Sequence, residues 1–337
     1  MTLPGVVAAA MFVGVILYAV LGGADFGSGY YDLTAGHGRR GAELRTLVDR
    51  SIGPVWEANH VWLIYILVMW WSAFPRAFAA AMTTLFVPLM CALAGIVLRG
   101  ASFALRKNAE TFGQARLFGA AFAGSSLITP FFFGTVVGGI ASGRVPADGY
   151  GDRFASWLNP TSVVGGTLAV TTCIFLAGVF LTAEAARGGD TPLAERLRKR
   201  VLTVGILSGA IVFAGLYPVL HDAPALSHGL LHDGLPLLAL AAIAGMAAVI
   251  LVYRRNYPTA RYFAVAAVAA VVAGWGVGQY PWMLVDQLTI DDAAGASATL
   301  TALLVVVALA VVFVVPSLVY LLRLTQSDRR LHELSAR

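Results

Sequence analysis

The sequence predicts an all-α integral membrane protein of nine transmembrane helices, with its N-terminus outside and its C-terminus cytoplasmic. Three observations predict it. First, of 337 residues 58% are hydrophobic and 12% charged, about half the charge of an average soluble domain, and mean hydropathy is +0.78. Second, nine apolar segments can be drawn, each near the ~20 residues that cross a bilayer. They are residues 5–24, 53–74, 77–98, 117–140, 161–184, 201–220, 235–253, 262–282 and 298–322. Third, 20 of the 23 basic residues fall in alternate loops and the C-terminal tail, with Arg76, Arg144 and Arg153 on the other side. Cytoplasmic loops carry the excess of Lys and Arg, which sets the orientation. The chain therefore reads as a single membrane domain over residues 1–337. Its net charge of +5 reflects placement across a membrane and does not point to nucleic acid.

The first apolar run has no basic stretch ahead of it, and GGADFG makes a poor cleavage site, so it reads as a retained helix. It ends in GGADFGSGYYD, which puts Asp25 at its cytoplasmic end. Gly22, Gly23, Gly27 and Gly29 allow close helix approach or an unwound turn around that carboxylate. The plainer reading is an interfacial Asp beside packing glycines. A basic loop, 37–50, leads into SIGPVWEANHVWLI at 51–64. Pro54 suits a first helical turn, where its missing N–H costs nothing, and Ser51 suits a cap. Glu57 and His60 then share a face by i,i+3 spacing, with Glu57 roughly 10 Å along the axis from Arg50. Ionisable groups at such depth are costly and are mostly functional. A proton relay through Glu57 is one reading, and a buried pair tying two helices together is the other. Asp25 and Glu57 both fall near the cytoplasmic ends of adjacent helices. Trp56, Trp62, Trp70 and Trp71 read as packing and interface anchors.

In the third segment, Arg99 and Arg106 are expected to snorkel to the cytoplasmic surface, with pairing to Asp25 or Glu57 as the alternative. Pro130 predicts a kink in the fourth, eased by Ser125, Ser126 or Thr129. Glu184 reads as interfacial. His221, His228 and His232 lie with two aspartates in HDAPALSHGLLHD, a spacing that fits no metal motif and reads as a solvated outer loop. Tyr280 and Trp282 suit the membrane interface, ahead of an acidic outer loop. Cys91 and Cys173 sit in apolar runs and form no metal or redox motif. No Walker A, CxxC or dinucleotide-binding glycine pattern is present. His60 is the only histidine inside a membrane segment, with His221 at a segment end, so bis-histidine haem ligation within this chain is not expected.

GADFG (23–27), PVWEANHVWLI (54–64), LRGASFALR (98–106), SLITPFFFG (126–134), WLNP (157–160) and GWGVGQYPWMLVDQLTIDDAA (274–294) together resemble subunit II of the cytochrome bd-type quinol oxidases, especially its cyanide-insensitive branch. The resemblance implies nine helices arranged as two four-helix bundles plus one additional helix. It implies a homologous subunit I that carries haem b and haem d and oxidises quinol while oxygen is reduced to water, in a bacterial cell membrane. This chain would hold no haem and no metal of its own. It would scaffold the partner and supply protons from the cytoplasm. By position, the resemblance carries the proton path onto Glu57 and Asp25, with His60 and Trp62 as weaker candidates. Small single-helix subunits, quinone and lipid are further partners it allows. The rival reading is a proton-coupled secondary transporter, which also uses membrane carboxylates. Against it, no inverted repeat or matched pair of broken helices is evident.

Overall fold

A computed structural model describes residues 2–36, 38–52 and 56–335, without the side chains of 52–58 and of much of the C-terminal helix. The chain is helical almost throughout. The first span is one 31-residue unit: α1 (Leu3–Leu17), a single π-helical turn (Tyr18–Gly22) and α2 (Gly23–Leu33). Thr2 caps it by accepting from the Gly5 N–H. The helix was expected to end at residue 24. It runs on for nine residues, so Asp25 lies inside it and Asp32 takes the terminal place. The glycines serve contact instead of unwinding: a Cβ at Gly27 would overlap the Cys173 carbonyl, and one at Gly29 the Ser126 side chain.

Residues 39–52, expected as loop, form the amphipathic helix α3 (Arg39–Ile52), which buries Leu44 and Val48. Next come α4 (Trp56–Ala73) and the short α5 (Pro75–Thr84), bent from α4 by 117°. The start of the SIGPVWEANHVWLI helix, at residues 53–55, lies outside the described residues. The bend falls at Phe74 (φ −133°, ψ 59°), because Pro75 has no N–H to continue a helix and disfavours helical backbone before it. The next span, α6 (Phe86–Lys107), therefore starts nine residues later than the expected 77–98. The expected segments already part at 75–76, where this bend falls; hydropathy misses the second break, at Leu85, because the run 77–98 is apolar throughout.

The remaining helices are α7 (Phe112–Ala141), α8 (Pro160–Arg187), α9 (Thr191–Asp222), α10 (Pro224–His232), α11 (Leu235–Tyr253) and α12 (Tyr257–Gln279). A small antiparallel hairpin follows, β1 (Trp282–Leu284) with β2 (Leu288–Thr289), then α13 (Ile290–Ala293) and α14 (Ser297–Ser335). The outer segment around His228 is thus the helix α10, in which the His228 and His232 rings stack 4.1 Å apart. Among the described residues, no group of three metal-ligating side chains gathers there or elsewhere. Seven described helices are long and apolar enough to cross a bilayer, and eight if α4 and α5 count as one bent span. In α14 the apolar part, Ser297–Phe313, is shorter.

Among the described residues, two large apolar cores and a small third one around Ala141, Ala223 and Leu226 hold these helices. One is centred on α8, with Leu176 and Val179 fully buried against Tyr31, Val48, Leu197 and Val201. The other joins α1, α4, α5 and the hairpin through Val7, Met69, Phe74, Leu85 and Leu284.

Candidate functional site

The charged residues of the first span meet those of α6 in a two-rung ladder. Asp25 and Asp32 are seven apart on α2, and Arg99 and Arg106 are seven apart on α6, so each pair shares a helix face. On the inner rung, Arg99 Nη1 and Nη2 donate to the two Asp25 carboxylate oxygens at 3.0 and 2.7 Å, and Nη2 also donates to the Asp25 carbonyl at 3.1 Å. Arg99 Nε donates to Ser126 Oγ at 2.8 Å. The guanidinium lies 4.9 Å from the ring centres of both Phe26 and Phe122. Both side chains of the pair are only 4% exposed. Arg99 therefore does not snorkel. Because α6 starts late, Arg99 falls well inside the helix, where a buried guanidinium needs a fork-shaped anion and stacking faces.

Arg106 also pairs inward. Its Nη1 and Nη2 donate to Asp32 at 3.1 and 3.2 Å, Arg45 of α3 approaches Asp32 at 3.7 Å, and Asp49 of α3 stands 3.9 Å from Arg106. The outer rung is thus shared with the amphipathic helix, and Asp49 connects it to solvent at 47% exposure. Asp32, Arg45 and Asp49 were not singled out in the sequence. The signal that could have found them is the D-x6-D spacing of 25 and 32 facing the R-x6-R spacing of 99 and 106.

Small hydroxyls line the same seam on α7. Ser125, Ser126 and Thr129 are buried and donate back to the carbonyls of Ala121, Phe122 and Ser125. The carbonyl that Pro130 leaves without its helical N–H is that of Ser126, which none of these hydroxyls reaches, so the expected easing at the proline is not their role; Ser126 Oγ instead receives Arg99. Tyr18, in the π turn, stands edge-on to Phe26 and Phe133, and its buried hydroxyl has no partner among the described residues.

The Glu57 side chain lies outside the described residues, but its register on α4 is defined. Positions 57, 61, 64, 68 and 71 follow one helix face. On it Val61, Ile64 and Trp71 are 60%, 59% and 64% exposed. The opposite face, through Asn59, Met69 and Ala73, is buried. His60 and Trp62 are half-buried, Trp62 in register with Met69 and Ala73 and edge-on to Tyr65 at 6.4 Å. Asp25 is locked into the interior by Arg99, whereas position 57 shares its helical register with α4 residues that are exposed in the described part of this chain. Together the Asp25–Arg99 and Asp32–Arg106 pairs hold charge inside the helix packing and, with the α7 hydroxyls, offer acceptors along a polar seam.

A family model described as cytochrome bd terminal oxidase subunit II matches residues 3–325. The chain is 26% identical over 213 residues to a cytochrome bd ubiquinol oxidase subunit 2 of Bacillus subtilis, covering 63% of this chain and 61% of that protein. It is 28% identical over 220 residues to a cytochrome bd-I ubiquinol oxidase subunit 2 of Escherichia coli, covering 61% of this chain and 56% of that protein. The chain thus spans about three-fifths of the length of these relatives. The fold resembles a chain in the structure of the bd oxidase from Geobacillus thermodenitrificans, with a TM-score of 0.77 at 24% identity, over 96% of this chain and 99% of that one.

Proposed function

The chain belongs to the cytochrome bd terminal oxidase subunit II family, and from that premise we propose that it is the haem-free subunit of a quinol oxidase in a bacterial cytoplasmic membrane. A homologous subunit I would carry haem b and haem d, oxidise quinol and reduce oxygen to water. This chain would scaffold that partner in a nine-helix arrangement and bring protons to it from the cytoplasm. Small single-helix subunits, quinone and lipid could complete the complex.

The observation that carries the reading is the family match over residues 3–325. The register of α4 supports the direction of the proton path. A carboxyl at position 57, on a face shared with exposed Val61 and Ile64, would be costly against lipid. Covered by a second membrane chain, it would stand at the interface where protons must cross. Asp25 and the ladder supply fixed charge behind it, with His60 and Trp62 flanking. A transporter reading finds no support in the family match.

The test is Glu57→Gln in the complex with its partner. Assembly and haem content are expected to match the wild type, while quinol-driven oxygen uptake falls by an order of magnitude or more, in the range that a lost proton donor costs. Full turnover in the assembled variant would remove Glu57 from the path.

A further inference from the structure

The π turn at Tyr18–Gly22 sits where the first span meets the WEANH motif. Asn59 is 2% exposed, and its Nδ2 donates to the carbonyl of Leu21 inside that turn at 3.3 Å. Two helical turns on, Tyr65 Oη donates to the carbonyl of Ala10 at 2.9 Å, and its ring covers Gly14, where a Cβ would overlap it. Two side chains of α4 are therefore bonded to the backbone of the antiparallel first span. A π turn widens the helix locally and is found mostly at functional sites. Here the same turn offers Leu21 to Asn59 and carries Tyr18, whose hydroxyl lies within electrostatic reach of Asp25 and Arg99.

We propose that Asn59 is a positioning residue of the proton path: bonded to the π turn, it fixes the rotation of α4, with position 57 in the register opposite that bond and the buried Asp25–Arg99 pair on the side of the first span. The inference rests on the proton-path reading above. Its physical basis is the helical period. Residues two apart on a helix stand about 200° apart, so an anchor at 59 holds 57 on the opposite face. Tyr65 limits sliding along the axis. Asn59, nearest the motif, sets the angle. A donor that moves by an ångström can cost about a hundredfold in rate, so the rotational setting of a carboxyl is worth a dedicated hydrogen bond.

The experiment compares four intact complexes: wild type, Glu57→Gln, Asn59→Leu and the double variant. Haem content, quinol KM and oxygen turnover in ordinary and heavy water are measured for each. Asn59→Leu keeps the volume and removes the donor. It is expected to lower turnover roughly tenfold, leave quinol KM unchanged and enlarge the solvent isotope effect. In the Glu57→Gln background the same change is expected to cost nothing further, because residues that act as one unit are not additive. If Asn59→Leu lowers both backgrounds by the same factor, or turns over at the wild-type rate with full haem, the positioning role is wrong while Glu57 can still stand. If Glu57→Gln is itself at the wild-type rate, the proton-path reading fails first. Should Asn59→Leu fail to assemble, Asn59→Gln, which keeps an amide donor one methylene further out, is read by the same comparison.

Discussion

Two Asp–Arg forks differ in their surroundings, one deep among the helices and one at a helix end. Arg144 donates both Nη groups to Asp222, and the partners are 35% and 12% exposed, whereas both members of the Asp25–Arg99 pair are 4% exposed. The chemistry is the same and the surroundings are not. Asp222 also accepts from the N–H and the hydroxyl of Thr161, so this fork ties the end of α9 to the start of α8 and to the loop after α7. It is a staple at the wet edge of the protein. The inner fork has its remaining donors and faces taken by Ser126, Phe26 and Phe122. Desolvating two charges is so costly that such a pair is weak evidence for stability on its own. The comparison teaches that a buried ion pair beside a polar seam is worth testing for function, while an edge pair of equal geometry is worth testing for stability.

The largest effect should come from breaking the inner fork on one side. Arg99→Leu leaves Asp25 uncompensated among helices and is expected to cost about 3–5 kcal/mol, seen as loss of assembled complex and haem. Replacing both partners, Asp25→Asn with Arg99→Gln, should restore most of the assembly. If the doubly neutral complex also turns over at the wild-type rate, the inner pair is a staple like the outer one. The outer fork should respond less. Asp222→Asn removes a partly exposed charge and is expected to lower stability by about 1–2 kcal/mol, measured as a drop in Tm, with turnover unchanged. A turnover defect there would erase the distinction between the forks.

The smallest effect concerns the exposed loop that the outer fork anchors. Asp152 accepts from the N–H groups of Ala155 and Phe154, which hold its carboxyl below the usual carboxylate range. A depressed carboxyl stabilises the folded loop above its unfolded value, and the contribution is lost as pH falls through the folded one. The protection of the Phe154 and Ala155 amides, taken as exchange relative to the intrinsic rate at each pH, should therefore hold at neutral pH and fall only in strong acid, and Asp152→Asn should flatten that dependence. An unchanged acid response in the variant would move the cause elsewhere in the loop.

Much of the architecture was legible from residues alone. Apolar runs marked most of the long helices, seven of which among the described residues are long and apolar enough to cross a bilayer, because lipid requires each spanning segment to satisfy its own backbone. Misplaced boundaries cluster where hydropathy is blind. The break at Leu85 between α5 and α6 lies within continuous apolar sequence, and α2 continues through glycines that read as an end. Of the candidate site, Asp25 was visible as a carboxylate among glycines. Its partner was not, since 74 residues separate Asp25 from Arg99 and an arginine near a helix end ordinarily reaches for water.

By itself the sequence determined a helical membrane protein, the two motifs that carry its carboxyls, and the small residues that let helices touch. These follow from local composition and period, which need no neighbours to be read. Only the tertiary structure decided that Arg99 and Arg106 turn inward to Asp25 and Asp32 and that the π turn receives Asn59. Those outcomes depend on the rotation of each helix about its own axis. Packing against distant neighbours sets that angle, and a change of one residue in register swings a side chain by about 100°.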